Sequence, residues 1–154
     1  MSRATASLVG LVLLLAVAVI GAAAVASAVP DAPTAGPPRA SLSLAVDASA
    51  DRLTLTHRAG EAIDVDEIDV TVHVAGEPLR HQPPVPFFAS RGFESGPTGP
   101  FNSATAGSWT AGETAAFEVA ATNAPGIAPG DRVTVTIRTV RGTIARLSTV
   151  ATVE

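Results

Sequence analysis

Residues 7–29, SLVGLVLLLAVAVIGAAAVASAV, contain no charged side chain. At about 1.5 Å per residue, a helix of this length spans roughly the 30 Å of bilayer hydrocarbon. Arg3 precedes the segment and the next basic residue is Arg39, which predicts a cytoplasmic N-terminus and an external C-terminal part. The segment also fits a secretory signal, because Ala26, Ser27 and Ala28 form a small-x-small cleavage site. Both interpretations export the rest of the chain, and they differ in whether the helix is retained.

The sequence predicts four regions. Residues 1–6 form a leader, and residues 7–29 form a hydrophobic, transmembrane helix. Residues 30–39, PDAPTAGPPR, form a linker in which four prolines exclude a helix and favour an extended spacer. Residues 40–154 form an extracellular domain of a size that supports one modest core.

The domain has the apolar alternation of half-buried strands. In IDVTVHV, for example, Ile68, Val70, Val72 and Val74 face one side, and polar residues face the other. Similar patterns occur in SLSLAV, RLTLTH, AAFEVA, RVTVTIRTV and, less strictly, IARLSTVATV, mostly separated by Gly, Pro and Asp turns. About seven short strands indicate a mainly β fold, a small antiparallel β-sandwich of the Ig-like kind.

Composition excludes several kinds of chemistry. The 154 residues include no cysteine, so disulfides, zinc-thiolate sites and thiol catalysis are impossible. All ten basic residues are arginine, and the net charge is −4. An acidic chain of this kind lacks the basic stripe that nucleic acid requires, and we expect no nucleic-acid partner.

Residues 83–109 interrupt the strand pattern with a long Gly-, Pro- and Ser-rich stretch. This stretch holds four of the five phenylalanines and the single tryptophan. Long loops of this kind are uncommon and often functional. One interpretation is a binding loop that exposes Phe87, Phe88, Phe93, Phe101 and Trp109 to a partner or a sugar. The other is that these side chains pack the loop over the sheets and close one end of the core.

The polar residues indicate no catalytic centre. His57, His73 and His81 lack the spacing of a local metal-ligand pair, and we expect them at the surface. Residues 64–69, DVDEID, begin like a calcium-binding loop. However, Ile68 occupies a ligand position and Asp69 replaces the required glycine, so we expect a solvated turn. No nucleophile elbow or phosphate-binding loop occurs. We therefore expect no enzyme, no metal and no cofactor.

Several stretches together resemble the haloarchaeal type IV pilin family. The opening RATASLVGLVLLLAVAVIGA resembles that family's N-terminus, although Ser7 stands where the family usually has proline. The stretches LTLTHRAGEAIDVDEIDVTV, WTAGETAAFEV and IAPGDRVTVTIRT resemble strands of its head domain. The similarity extends over nearly the whole chain.

The resemblance implies a filament subunit that is stored in the membrane and later assembled into a surface pilus for adhesion. A prepilin peptidase would recognise Arg3, Ala4 and Thr5, and would cut between Ala4 and Thr5. The retained helix would then pack against other copies or other pilins. Small residues that permit close approach and their neighbours are the candidates for this packing: Gly10, Leu14, Val17 and Gly21. The alternative is a β-sandwich binding domain, secreted or membrane-anchored, that does not polymerise.

Overall fold

The computed structural model describes residues 3–27 and 35–154. The predicted cleavage site after Ala28 and residues 30–34 of the predicted linker lie outside the described residues. The chain divides into two units, Met1–Ala35 and Gly36–Glu154.

In the part of the chain that the structure describes, one α-helix and nine strands make up most of the regular structure. The helix α1 spans Arg3–Ser27. The strands are β1 Ala40–Asp47, β2 Arg52–Gly60, β3 Ile63–Asp64, β4 Asp69–Val74, β5 Glu77–Pro78, β6 Ser108–Trp109, β7 Thr114–Glu118, β8 Arg132–Thr139 and β9 Gly142–Val150. Two single turns of 3-10 helix occur at Val65–Glu67 and Gly99–Phe101.

The helix begins at Arg3, four residues before the predicted start at residue 7. The sequence has no proline before Pro30, and Ala4, Ala6 and Ser7 all tolerate helical dihedral angles. Residues 3–6 of the predicted leader and the predicted Ala4–Thr5 cleavage site therefore lie within the first two turns of α1, and residues 1–2 lie outside the described residues.

Two antiparallel sheets dominate the second unit. Sheet 1 has the order β1-β2-β7, and sheet 2 has the order β5-β4-β8-β9. Strands β3 and β6 form a separate antiparallel pair. The inward positions of both sheets contribute to one core, as the alternation predicts. Leu53 and Leu55 from β2 and Val72 and Val135 from sheet 2 are completely buried there. The prediction of a mainly β, antiparallel domain is confirmed.

Segments outside the main strands join the two sheets and cover their edges. The N–H of Ala48 donates to the Thr152 carbonyl at 2.7 Å, which links the end of β1 to the residues after β9. Beside β4, the side chain of Gln82 makes the backbone hydrogen bonds that a neighbouring strand would otherwise make. Its side-chain oxygen accepts from the Val72 N–H at 2.7 Å, and its side-chain nitrogen donates to the Val72 carbonyl at 3.0 Å. Covered edges of this kind protect a sheet from unwanted pairing.

The long 83–109 segment covers the outer edge of β7. The N–H of Thr98 donates to the Ala116 carbonyl at 2.8 Å, and the N–H of Glu94 donates to the Glu118 carbonyl at 3.0 Å. The segment is therefore joined to sheet 1 by backbone hydrogen bonds, and its last residues, Ser108 and Trp109, form β6.

Gly99 is required where this segment meets β7. Its φ of +64° is in the left-handed region, and a Cβ there would overlap the Thr114 carbonyl oxygen. We expect Gly99→Ala to destabilise the domain by at least about 3 kcal/mol, because strain and a backbone clash act together. Urea unfolding followed by Trp109 fluorescence measures this change.

Gly96 is the matched control, since its φ is +78° but nothing lies within 4 Å of its Cβ position. Gly96→Ala should cost only about 1 kcal/mol, the conformational part alone. Equal losses in the two variants would contradict the proposed clash at Gly99.

Candidate functional site

The described part of α1 presents apolar side chains on every side. Between residues 5 and 18, eight large hydrophobic side chains are 59–72% exposed: Leu8, Val9, Leu11, Val12, Leu13, Leu14, Leu15 and Val17. A helix that is apolar all round is typical of a protein core or of a membrane, and not of a water-facing surface. This stretch therefore requires an apolar environment.

Three of the predicted packing residues lie along one line of this helix. Gly10, Leu14 and Val17 are spaced four and three residues apart, so they share one face. A Cβ at Gly10 would meet nothing within 4 Å, while Leu14 is 72% exposed and Val17 is 68% exposed. Gly21 follows at the same spacing within α1. A second helix can approach closely along such a line, because glycine offers no side chain.

Among the described residues, no helix meets the combined length and hydropathy expected of a membrane crossing.

The aromatic residues of the 83–109 segment lie mostly inside the domain. Phe87, Phe93, Phe101 and Trp109 are at most 6% exposed, whereas Phe88 is 59% exposed. Phe101 packs edge-on against Trp109 at 5.2 Å between ring centroids, and Phe93 packs edge-on against Phe117 of β7 at 5.6 Å. The prediction that these residues form an exposed binding loop is wrong for four of the five. The alternative, that they pack the segment over the sheets, is what the structure shows.

His57 is a second correction, because the expectation of a surface position is wrong for it. The side chain is fully buried, and its Nε2 lies 2.9 Å from the Glu61 carbonyl oxygen. This geometry places a proton on Nε2, and among the described residues Nδ1 has no hydrogen-bond partner. The sequence contained the signal, since His57 continues the inward alternation of Leu53 and Leu55. His73 and His81 are half-buried.

The Glu113 carbonyl connects this histidine to the tryptophan. It accepts a hydrogen bond from the backbone N–H of His57 at 2.9 Å and another from the indole Nε1–H of Trp109 at 3.0 Å. The two rings also meet edge-on, with centroids 5.9 Å apart. The cluster has a structural role, because it provides the hydrogen-bond acceptor that the indole N–H of the buried Trp109 needs.

The acidic segment 64–69 forms a solvated turn, as predicted. Asp64 accepts the Asp66 N–H at 3.0 Å and caps the 3-10 turn, and all four acidic side chains are exposed. Within the described part of the chain, no group of three or more histidine or acidic side chains is placed to hold a metal ion.

Comparison with known proteins adds no relative: no protein-family model matches the sequence, and no curated protein matches it.

The burial of Phe101 and the exposure of Phe88 predict opposite responses to truncation. Phe101→Ala removes a completely buried ring and should destabilise the domain by about 3–5 kcal/mol. Phe88→Ala removes an exposed ring of the same size and should change stability by less than about 0.5 kcal/mol. Urea unfolding of the two variants side by side measures both values. Comparable losses would contradict the described packing.

Glu113 makes the stability of this region depend on acidity. The Thr110 N–H at 2.7 Å and the Thr110 hydroxyl at 3.0 Å donate to its carboxylate and lower the pKa of Glu113 from 4.5. A lowered folded-state pKa stabilises the fold above the unfolded pKa, and this contribution is lost as pH falls through the folded value.

We therefore expect Glu113→Gln to be less stable than the natural chain at pH 7, with a difference that shrinks as pH falls below 4.5. Urea unfolding of both chains at several pH values between about 3 and 7 measures this difference in stability. Carbon-13 NMR titration of the Glu113 carboxyl provides an independent check. A midpoint at or above 4.5 would refute the stated role of the Thr110 hydrogen bonds.

Proposed function

We propose that the chain is an archaeal type IV pilin-like subunit. Its N-terminal helix holds it in the cell membrane with the β-domain outside, and then joins it to other subunits in a surface filament that acts in adhesion. The observation that carries this proposal is the ring of eight exposed, large apolar side chains between residues 5 and 18 of α1.

The solvent requirement of this helix supports both of its proposed uses. The interior of a membrane provides the apolar environment that an uncharged apolar helix requires, and a bundle of identical helices provides it too. The uncharged segment extends in the sequence to residue 29, beyond the side chains that the structure describes, and 23 residues rise roughly 35 Å as a helix. The sequence of the whole segment is therefore the support for membrane insertion.

A filament requires the same helix to pack closely against copies of itself. In lipid, apolar helices gain little from hydrophobicity when they associate, so close contact between backbones becomes important. The line of Gly10, Leu14, Val17 and Gly21 supports this step, with glycines at its two ends and larger side chains between them.

We further infer that the head is an Ig-like β-sandwich. The support is its strand order, with β1, β2 and β7 in one sheet and β4, β8 and β9 in the other. Chain crossings between two sheets in this arrangement are typical of Ig-like domains. Both sheets bury their inward side chains in a single core, as the two layers of a sandwich do.

A second candidate is a secreted or membrane-anchored β-sandwich binding domain that does not polymerise. Ala26, Ser27 and Ala28 favour it, because they satisfy the small-x-small rule for signal cleavage. In that case the mature chain begins at Val29 and the apolar helix is lost.

N-terminal sequencing of the mature protein, recovered from producing archaeal cells, separates the two candidates. We expect a start at Thr5, since cleavage by a prepilin peptidase removes only the leader and retains the apolar helix. Electron microscopy of the same cells should show surface filaments that contain the chain. A start at Val29, without filaments, overturns the proposal in favour of the secreted domain.

A further inference from the structure

The arginines are unevenly distributed along the chain. Residues 132–150, which hold β8 and β9, contain four arginines and no acidic residue. The remaining sequence contains six arginines and all 14 acidic residues, a formal balance of −8. An acidic protein therefore carries one strongly basic hairpin.

Three of these arginines lie on the outer face of sheet 2. Arg132 and Arg138 alternate with the buried Val133, Val135 and Ile137, so they point away from the core. Arg146 of β9 is paired with Thr136, and this register places it on the same outer face. All three are exposed, and among the described residues none of them forms an ion pair. Arg132, Arg138 and Arg146 together form the basic face.

Most positions around the basic face are polar, although the exposed Val150 lies opposite Arg132. Hydroxyl side chains fill the positions between the arginines: Thr71, Thr134, Thr136, Thr143 and Ser148. One acidic residue, Asp69, lies opposite Arg138 in the strand register. Arg141, at the hairpin turn, lies 4.0 Å from Glu67. The net charge of the basic face with Asp69 is thus +2.

The outer face of sheet 1 has the opposite charge. Arg52 lies opposite Asp47 in β1 and Glu118 in β7, and its Nε donates to Glu118 at 2.9 Å. Glu94 lines the cleft on one side of Arg52, and Glu154 lines the groove on the other side. These four carboxylates around one arginine are called the acidic patch, and their net charge is −3.

Within the acidic patch, Asp47 keeps its negative charge to a lower pH than an ordinary aspartate does. The hydroxyl and the backbone N–H of Ser49 donate to Asp47 at 2.6 and 2.8 Å and lower its pKa. Arg52 neutralises only part of the patch, because among the described residues it forms an ion pair with Glu118 alone. Both charged surfaces are thus incompletely neutralised within one chain.

We propose that the basic face of one copy docks on the acidic patch of the next copy. This inference deepens the proposed function and rests on it, since filament assembly brings the heads together. The partner is argued from charge: complementary surfaces steer association and fix the register of docking. Arginine suits this contact, because its planar group binds carboxylates through two parallel hydrogen bonds.

The position of the two surfaces determines what kind of assembly results. They lie on the outer faces of different sheets, so a copy that uses its basic face still offers its acidic patch. Such head-to-tail contacts continue from copy to copy, whereas a contact between identical surfaces closes into a dimer. The charge distribution of the head therefore favours a linear array over a symmetric pair.

Cysteine cross-linking tests the contact directly, because the natural chain contains no cysteine. Ala50→Cys labels the groove beside the acidic patch, and Ser148→Cys labels the sheet face beside Arg146; both positions are exposed. The full chain with both substitutions, purified in detergent and treated with a short bis-maleimide, should give a ladder of dimers, trimers and larger products.

The single variants are the controls for direction. Each single variant should give no cross-linked products, since equivalent positions do not meet in a head-to-tail contact. A dimer from Ser148→Cys alone would indicate that identical faces meet, and it would overturn the inference. Absence of a ladder from the double variant would also overturn it.

Charge reversal tests the physical basis of the contact. Arg138→Glu with Arg146→Glu, added to the double-cysteine chain, should reduce the ladder at least about tenfold at low salt. Glu94→Arg with Glu154→Arg should restore it. Arg80→Glu with Arg91→Glu makes the same charge change at exposed arginines elsewhere and should leave the ladder unchanged. Equal losses from both arginine pairs would contradict a specific contact.

These outcomes are independent of the test of the proposed function. A mature start at Thr5 with surface filaments, but no ladder, refutes the head contact and leaves the pilin proposal standing. A start at Val29 without filaments refutes the pilin proposal, whatever the ladder shows.

Discussion

The contacts of Phe117 are the interaction on which the rest of the head depends. This β7 residue packs against Phe93 and Phe101, so it anchors two separate parts of the 83–109 segment to sheet 1. A chain without disulfides must hold such a long segment by packing and hydrogen bonds. With these aromatic side chains packed inward, the segment covers the edge of β7, and four of its five rings are removed from the surface; Phe88 remains exposed. The surfaces left for interaction are then the apolar helix and the polar outer faces of the sheets.

Much of the fold could be predicted from local pattern, because strand alternation depends on neighbouring residues only. The alternation identified the buried side of β2, β4 and β8 correctly. The depth of Phe101 and Trp109 could not be predicted in this way, since it depends on where a distant strand lies. His57 is an intermediate case: its position in the alternation indicated burial, but its polarity argued for the surface. Its Nε2 bond to the Glu61 carbonyl reduces the cost of burial, because it satisfies one of the two ring nitrogens.

The candidate interaction surfaces also differ in how far they could be predicted from the sequence. The apolar character of α1 is evident from composition alone, and the structure adds that its described side chains are exposed in all directions. The charged faces of the head are not evident from the sequence. Asp47 and Glu118 are 71 positions apart, and only the pairing of both strands with β2 brings them to opposite sides of Arg52. A surface assembled from distant strands requires the register, which sequence pattern does not provide.

The two proposed contacts between copies have different physical bases, and salt acts on them differently. Excluded salts strengthen apolar association, so they favour packing of the helices. The same salts screen exposed charges, with a Debye length of about 3 Å at 1 M, so they weaken docking of the heads. In the proposed assembly, helix packing would be the contact that persists as the ionic strength rises, and docking of the heads would be the contact that varies with it. An assembly built in this way keeps its continuity through α1, while the fit between the outer faces of neighbouring heads varies with the surrounding solution.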